Sequence, residues 1–214
     1  MVVLRQVSVA VMAAAAALGA AVFMAINIFY KRRVWTPEDY YVFKEEEVER
    51  RQKQVLVLGL NGAGKSSVLQ ALSGATRNGS CAPTRGFNFV RLNTPTCEFD
   101  FLEIGGGEDL RVYWADFLRK TNILLYVVDT SDRSQLLLAK DELHRLLRLD
   151  TQLPVIILGN KQDKFNAVSE SELRHALSLD SVADQSKLFT LQISSASAES
   201  CSLQNLQDLL VKLV

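Results

Sequence analysis

Residues 59–66 read GLNGAGKS, and no other stretch narrows the fold of this 214-residue chain so far. The run VLVLGL at 55–60 reads as a strand, and the apolar spacing over 65–73 after it is helical. A glycine-rich turn in the pattern G-x4-G-K-[ST], set between a strand and a helix, is built to hold phosphate. Asn61, Gly62, Ala63 and Gly64 supply backbone N–H groups that curl around a phosphate chain, and the helix from Lys65 through Ser66 and Ser67 aims its positive end at that chain. Lys65 supplies a point charge for the β- and γ-phosphates, and the Ser66 hydroxyl suits Mg²⁺.

The rest of the chain fits a sheet around such a loop. Strand patterns recur at 87–92 (FNFVRL), 97–104 (CEFDFLEI), 123–129 (ILLYVVD), 154–159 (PVIILG) and 188–193 (LFTLQI). Helical patterns fall at 109–119, 135–148, 169–178 and 203–213. Strands apolar on both faces, alternating with amphipathic helices, predict an α/β domain with a mostly parallel six-stranded sheet covered on both sides. The pair around NTPT reads as a hairpin, so one edge strand is antiparallel.

A second motif chooses the base. Residues 160–163 are NKQD, at the end of the fifth strand, where open α/β sheets bind ligands. The Asp163 carboxylate can accept from both N1–H and N2–H₂ of guanine, a donor pair that adenine lacks. Asn160, Lys161 and Asp163 therefore point to a guanine nucleotide, GTP or GDP, bound with Mg²⁺.

The chain carries 24 basic and 24 acidic residues, a balance that gives no reason to expect nucleic acid as a partner. Cys81, Cys97 and Cys201 are odd in number and lack metal-ligand spacing, which fits free thiols in a reducing compartment. Residues 7–30 contain no charge. As a helix they would run about 36 Å, enough to cross a hydrocarbon layer of roughly 30 Å. A retained membrane anchor is the expectation and a cleaved signal peptide the competing one. Lys31, Arg32 and Arg33 then place the chain beyond residue 33 in the cytosol, at the endoplasmic reticulum or the mitochondrial outer membrane. The expected organisation is an anchor with its basic flank at 1–33, a charged linker at 34–53, helical in its charged half, and a nucleotide-binding domain at 54–214.

GLNGAGKSS, PTRGFNFVRL, LEIGGGEDLRVYW, VVDTSDR and NKQD resemble, in order and spacing, the ADP-ribosylation-factor-like small GTPases. The resemblance implies that Thr84 completes the Mg²⁺ shell and senses the γ-phosphate, that Gly106 gives its N–H to that phosphate, and that Glu103 holds Mg²⁺ through water. It places Ser195 and Ala196, in SSAS, against the base. It also implies effector proteins binding at 79–90 and 105–117, together with an exchange factor or a GTPase-activating protein. Three departures from the family pattern matter. Glu103 stands where the family has Asp, Leu102 where many relatives have Trp, and Gly107 where the family has the Gln that orients the attacking water. The expectation is a weak GTPase or a scaffold that has lost hydrolysis. Val2 closes the N-myristoyl route, so the apolar span replaces a lipid.

Overall fold

The computed structural model describes residues 51–74, 84–182, 187–194 and 200–213. The apolar stretch 7–30, its basic flank, the linker up to residue 50, residues 79–83 of the expected effector-binding segment 79–90, and Ser195 with Ala196 lie outside the described residues. Among the described residues no helix is long and apolar enough to cross a membrane.

Strand β1 (Arg51–Leu58) enters the phosphate loop, which feeds α1 (Lys65–Leu72). Next in the chain is a hairpin of β2 (Phe87–Asn93) and β3 (Cys97–Ile104), then two short helices, α2 (Glu108–Arg111) and α3 (Trp114–Leu118). After them come β4 (Ile123–Asp129), α4 (Leu136–Leu149), β5 (Val155–Asn160), α5 (Glu170–Ala176), β6 (Leu188–Gln192) and α6 (Ser200–Lys212). The strands form one six-stranded sheet in the order β2-β3-β1-β4-β5-β6. Every pairing is parallel except β2 with β3, the expected hairpin.

Alternation along the central strands builds two cores. Leu56, Leu58, Leu124, Tyr126 and Val155 face one side, where Trp114, Leu136, Leu143 and Leu173 cover them. Val55, Val57, Leu125, Ile156 and Leu158 face the other, under Val68, Leu69, Leu206 and Leu210. With both faces covered, the open positions lie at the carboxyl ends of the strands, where the GLNGAGKS and NKQD motifs emerge.

Two expectations fail in detail. Residues 51–53, read as the end of a helical charged linker, are the first residues of β1, because Arg51 through Gln54 pair with β3. They pair with β3 alone, since the ladder to β4 begins only at Val55, and the polar sequence RQK carries no strand-like apolar pattern. The single helix expected over 109–119 is two, broken at Val112 and Tyr113. The break lets Trp114 turn fully into the core, where its Nε1–H donates to the Gly105 carbonyl at 3.2 Å and its ring meets Tyr126 edge-on. Tyr113 is left half-exposed.

Candidate nucleotide and metal site

The phosphate loop is fixed by its glycines and by a tie from the base end. Gly64 sits at φ 90°, in the left-handed region, and a Cβ there would stand 2.2 Å from the Asn160 amide nitrogen. That nitrogen donates to the Ala63 carbonyl at 2.9 Å. The Asn160 backbone carbonyl in turn accepts from the Thr130 hydroxyl at 2.7 Å. Asn160, fully buried, is thus a strut between the two motifs. Asn61 and Gly62 are exposed at the loop's tip, and Ser67 lies half-buried in the first turn of α1.

Lys65 is buried, and its ammonium donates to the carbonyls of Gly59 at 2.9 Å and Leu60 at 3.1 Å. Burial lowers its pKa to about 8, against the opposing pull of the Glu103 carboxylate. The lysine stays charged at neutral pH in a place that strengthens its attraction for an anion.

Beside it three oxygens converge from three parts of the chain. The Ser66 hydroxyl donates to Glu103 Oε1 at 2.7 Å, the Thr84 hydroxyl donates to the same oxygen at 3.2 Å, and the two hydroxyl oxygens lie 2.9 Å apart. Glu103 is 1% exposed, and its other carboxylate oxygen accepts from Asn88 Nδ2 at 3.3 Å. All the donors are hard oxygens, the chemistry that Mg²⁺ selects, so Ser66, Thr84 and Glu103 fit that ion. Asn88 escaped sequence reasoning, although the hairpin carries the signal. With Asn93 opposite Glu98, an unbroken antiparallel register puts Asn88 opposite Glu103.

The three consecutive glycines divide into two kinds. A Cβ on Gly105 would meet the Thr84 carbonyl at 2.5 Å, and one on Gly106 would meet Gly59, Leu60 and Asn61 backbone atoms at 2.4–2.5 Å. Gly106 is therefore a backbone-to-backbone contact between the segment after β3 and the phosphate loop. Gly107 has an ordinary extended conformation, φ −63° and ψ 153°, and a Cβ there would meet only the tip of the exposed Asp109 side chain. Nothing in the backbone requires glycine at 107. Downstream, Arg111 is tied to α4: its side chain donates to Glu142 at 3.1 Å, and its carbonyl accepts from Arg145 at 2.8 Å.

At the base end, Asp163 is exposed and accepts from the Ser194 hydroxyl at 2.6 Å, a bond that holds its carboxyl below the usual range. Lys161, at φ 66°, pairs its ammonium with Asp129, whose other oxygen accepts from the Ser131 N–H and hydroxyl. Asn61, Gly62, Asp129, Gln135 and Lys161 edge a cavity of about 250 Å³ next to the loop. Ser194 and Asp129 were not singled out from the sequence. Ser194 opens SSAS and was within reach by position, whereas Asp129 needed the β4–β5 register that sets it beside Asn160.

A phosphate loop at the end of β1, a carboxylate on β3, a base motif on β5 and one antiparallel edge hairpin together define a P-loop small-GTPase fold. Residues 40–214 match the ADP-ribosylation factor family, and the chain belongs to it. It is 44% identical over 169 residues to ADP-ribosylation factor-like protein 10 of Mus musculus, covering 78% of this chain and 68% of that one. It is 40% identical over 168 residues to ADP-ribosylation factor-like protein 9 of Homo sapiens, covering 77% and 90%. Among solved structures it is similar in fold to the Arl6 BBS3 small GTPase from Trypanosoma brucei, solved with the bound nucleotide analogue GppNp. The TM-score is 0.67 at 20% identity, covering 76% of this chain and 99% of that one.

Proposed function

We propose that the chain is a Mg²⁺-dependent guanine-nucleotide switch, held at a membrane by residues 7–30, that recruits effector proteins when GTP is bound. The observation that carries this reading is the convergence of the segments 79–90 and 105–117 on the phosphate loop. Thr84 reaches Ser66, and Gly106 lies against Gly59–Asn61 backbone, so each segment borders the place where a γ-phosphate would sit. Lys65 would exchange its two carbonyl partners for phosphate oxygens, and Ser66 and Thr84 would hold the cation that bridges them. Asp163, oriented by Ser194, would read guanine, while Lys161 and the backbone of Ser195 and Ala196 would flank the base. Effectors would meet exposed apolar side chains on both segments, with Phe87 75% and Tyr113 54% accessible and Phe89, Val112 and Phe117 exposed as well.

Hydrolysis would be slow. Intrinsic rates in this class are on the order of 10⁻⁴ s⁻¹ even with the glutamine, and partners add about 10⁵-fold. That acceleration is roughly 7 kcal/mol of barrier, and a partner that acts by ordering a glutamine finds none at Gly107. Gly107 specifically favours a second reading, in which the domain stays GTP-bound and works as a tethered scaffold.

The test is to purify the full chain in detergent without added nucleotide and to identify what it carries by chromatography. GDP means that the site hydrolyses what it binds, and the slow-switch reading stands. GTP makes the scaffold the better account. An empty site or adenine nucleotide overturns both. Membrane attachment is checked separately: the chain should remain in the membrane fraction when loaded with GDP, and release into the supernatant refutes a spanning anchor.

A further inference from the structure

Resting on the Mg²⁺-dependent reading of the site, we propose that Glu103 ligates the cation directly, as a third protein ligand beside Ser66 and Thr84, instead of holding it through a water. The three oxygens form a triangle with sides of 2.7, 2.9 and 3.2 Å. An octahedral Mg²⁺ with ligands at 2.0–2.1 Å has neighbouring ligand oxygens about 2.8–3.0 Å apart, so the triangle has the size of one octahedral face. Ordinary hydrogen bonds have similar lengths, so size alone decides nothing. Reach decides it.

A carboxylate oxygen that touches a cation through a water stands roughly 1.5–2 Å further away than one that ligates it. An aspartate at this position would end one C–C bond, about 1.5 Å, earlier, which leaves room for that water. Glutamate fills it. Nor can Glu103 retreat. Its backbone is paired on both sides, with Val57 of β1 and Asn88 of β2, so no strand shift is available without breaking two ladders. Its carboxylate is 1% exposed, and Asn88 holds Oε2, which leaves Oε1 aimed at the two hydroxyls. The extra methylene thus replaces a water in the cation's shell with a fixed, negatively charged ligand, and it should tighten cation binding.

The experiment loads the full-length protein in detergent with Mn²⁺ and a non-hydrolysable GTP analogue. Waters on the metal are counted from the broadening of its electron paramagnetic resonance lines in ¹⁷O-enriched water. Ser66, Thr84, Glu103 and two phosphate oxygens leave one of six positions for water. Indirect contact leaves two. One water in the wild type and two in Glu103→Asp is the expected result; two in both overturns the inference while leaving the proposed function intact. If Glu103→Asp does not fold, the wild-type count decides alone. Failure of the wild type to bind the analogue at all overturns the function instead. As an independent readout, the free Mg²⁺ needed to retain bound nucleotide should rise about tenfold in Glu103→Asp, and an unchanged or lower requirement counts against direct ligation.

Discussion

Gly106 and Gly107 are neighbours in the chain, yet they belong to two differently built regions. Around Gly106 everything is closed. Its backbone lies against the phosphate loop, Glu103 is buried among three donors, and Asn160 ties the base motif to Ala63. Around Gly107 the structure is open, with one exposed acidic tip near the place where a side chain would go. On the proposed reading, the difference would make holding a nucleotide and hydrolysing it separable properties. The holding parts are mutually constrained, so one change disturbs several contacts. At Gly107 only the flexible, exposed Asp109 side chain stands near, so a change of residue there would come at little cost to the fold.

The sharpest way to break the contrast is a matched pair of alanines. In Gly106→Ala the new Cβ meets backbone atoms at 2.4–2.5 Å, which cannot rotate away, so the two segments must part. Overpacking of this kind costs about 1–3 kcal/mol, and guanine-nucleotide affinity should fall by roughly ten- to hundredfold. Gly107→Ala should leave it within a factor of about two, as expected of a surface substitution. Equal losses measured by nucleotide titration would erase the distinction between the two glycines.

Gly107→Gln sharpens the comparison from the other side. The backbone there already suits an ordinary residue, and only the flexible Asp109 side chain has to move. If the missing side chain is what makes hydrolysis slow, single-turnover GTP cleavage should rise about tenfold, some 1.4 kcal/mol of barrier, with affinity unchanged. No change in rate would place the defect elsewhere in the site.

How far each region was legible depends on how local its signals are. GLNGAGKS and NKQD could be read because glycine turns and strand ends announce themselves within eight residues, and the sheet's alternation is equally local. Asn160 appeared only as part of a base motif. Its strut to Ala63 joins residues 97 apart in sequence and depends on β5 and β1 being drawn together by the sheet. Likewise, three glycines in a row signal close approach, but which of them touches backbone and which faces open space is set by the path of the phosphate loop. The first residues of β1 were missed for a physical reason visible in the sheet: they are paired on one side only, and Gln52, exposed, needs no apolar side chain.

At the base end the contrast predicts smaller effects, because its contacts are exposed. Ser194→Ala removes the hydroxyl that donates to Asp163. A solvent-accessible bond of this kind is worth about 1 kcal/mol, so GDP and GTP should both weaken by roughly fivefold. A loss confined to GTP would show that Ser194 acts on the phosphate end.

The smallest effect belongs to Asp129, which edges the cavity next to the phosphate loop. Burial works to raise its pKa, but the hydrogen bonds from Lys161 and Ser131 and the nearby Lys161 charge outweigh it, so the carboxyl stays below the ordinary value of 3.8. A carboxyl with a depressed folded-state pKa contributes stability above its unfolded value. That contribution disappears as the pH falls through the folded one. Wild-type protein should therefore lose stability on acidification below about pH 4 more steeply than Asp129→Asn, which has no charge to lose. Unfolding midpoints taken from pH 6 downward measure the two slopes. Parallel curves would mean that the Lys161 pair adds nothing to the fold, leaving the positive φ of Lys161 to be explained by its backbone alone.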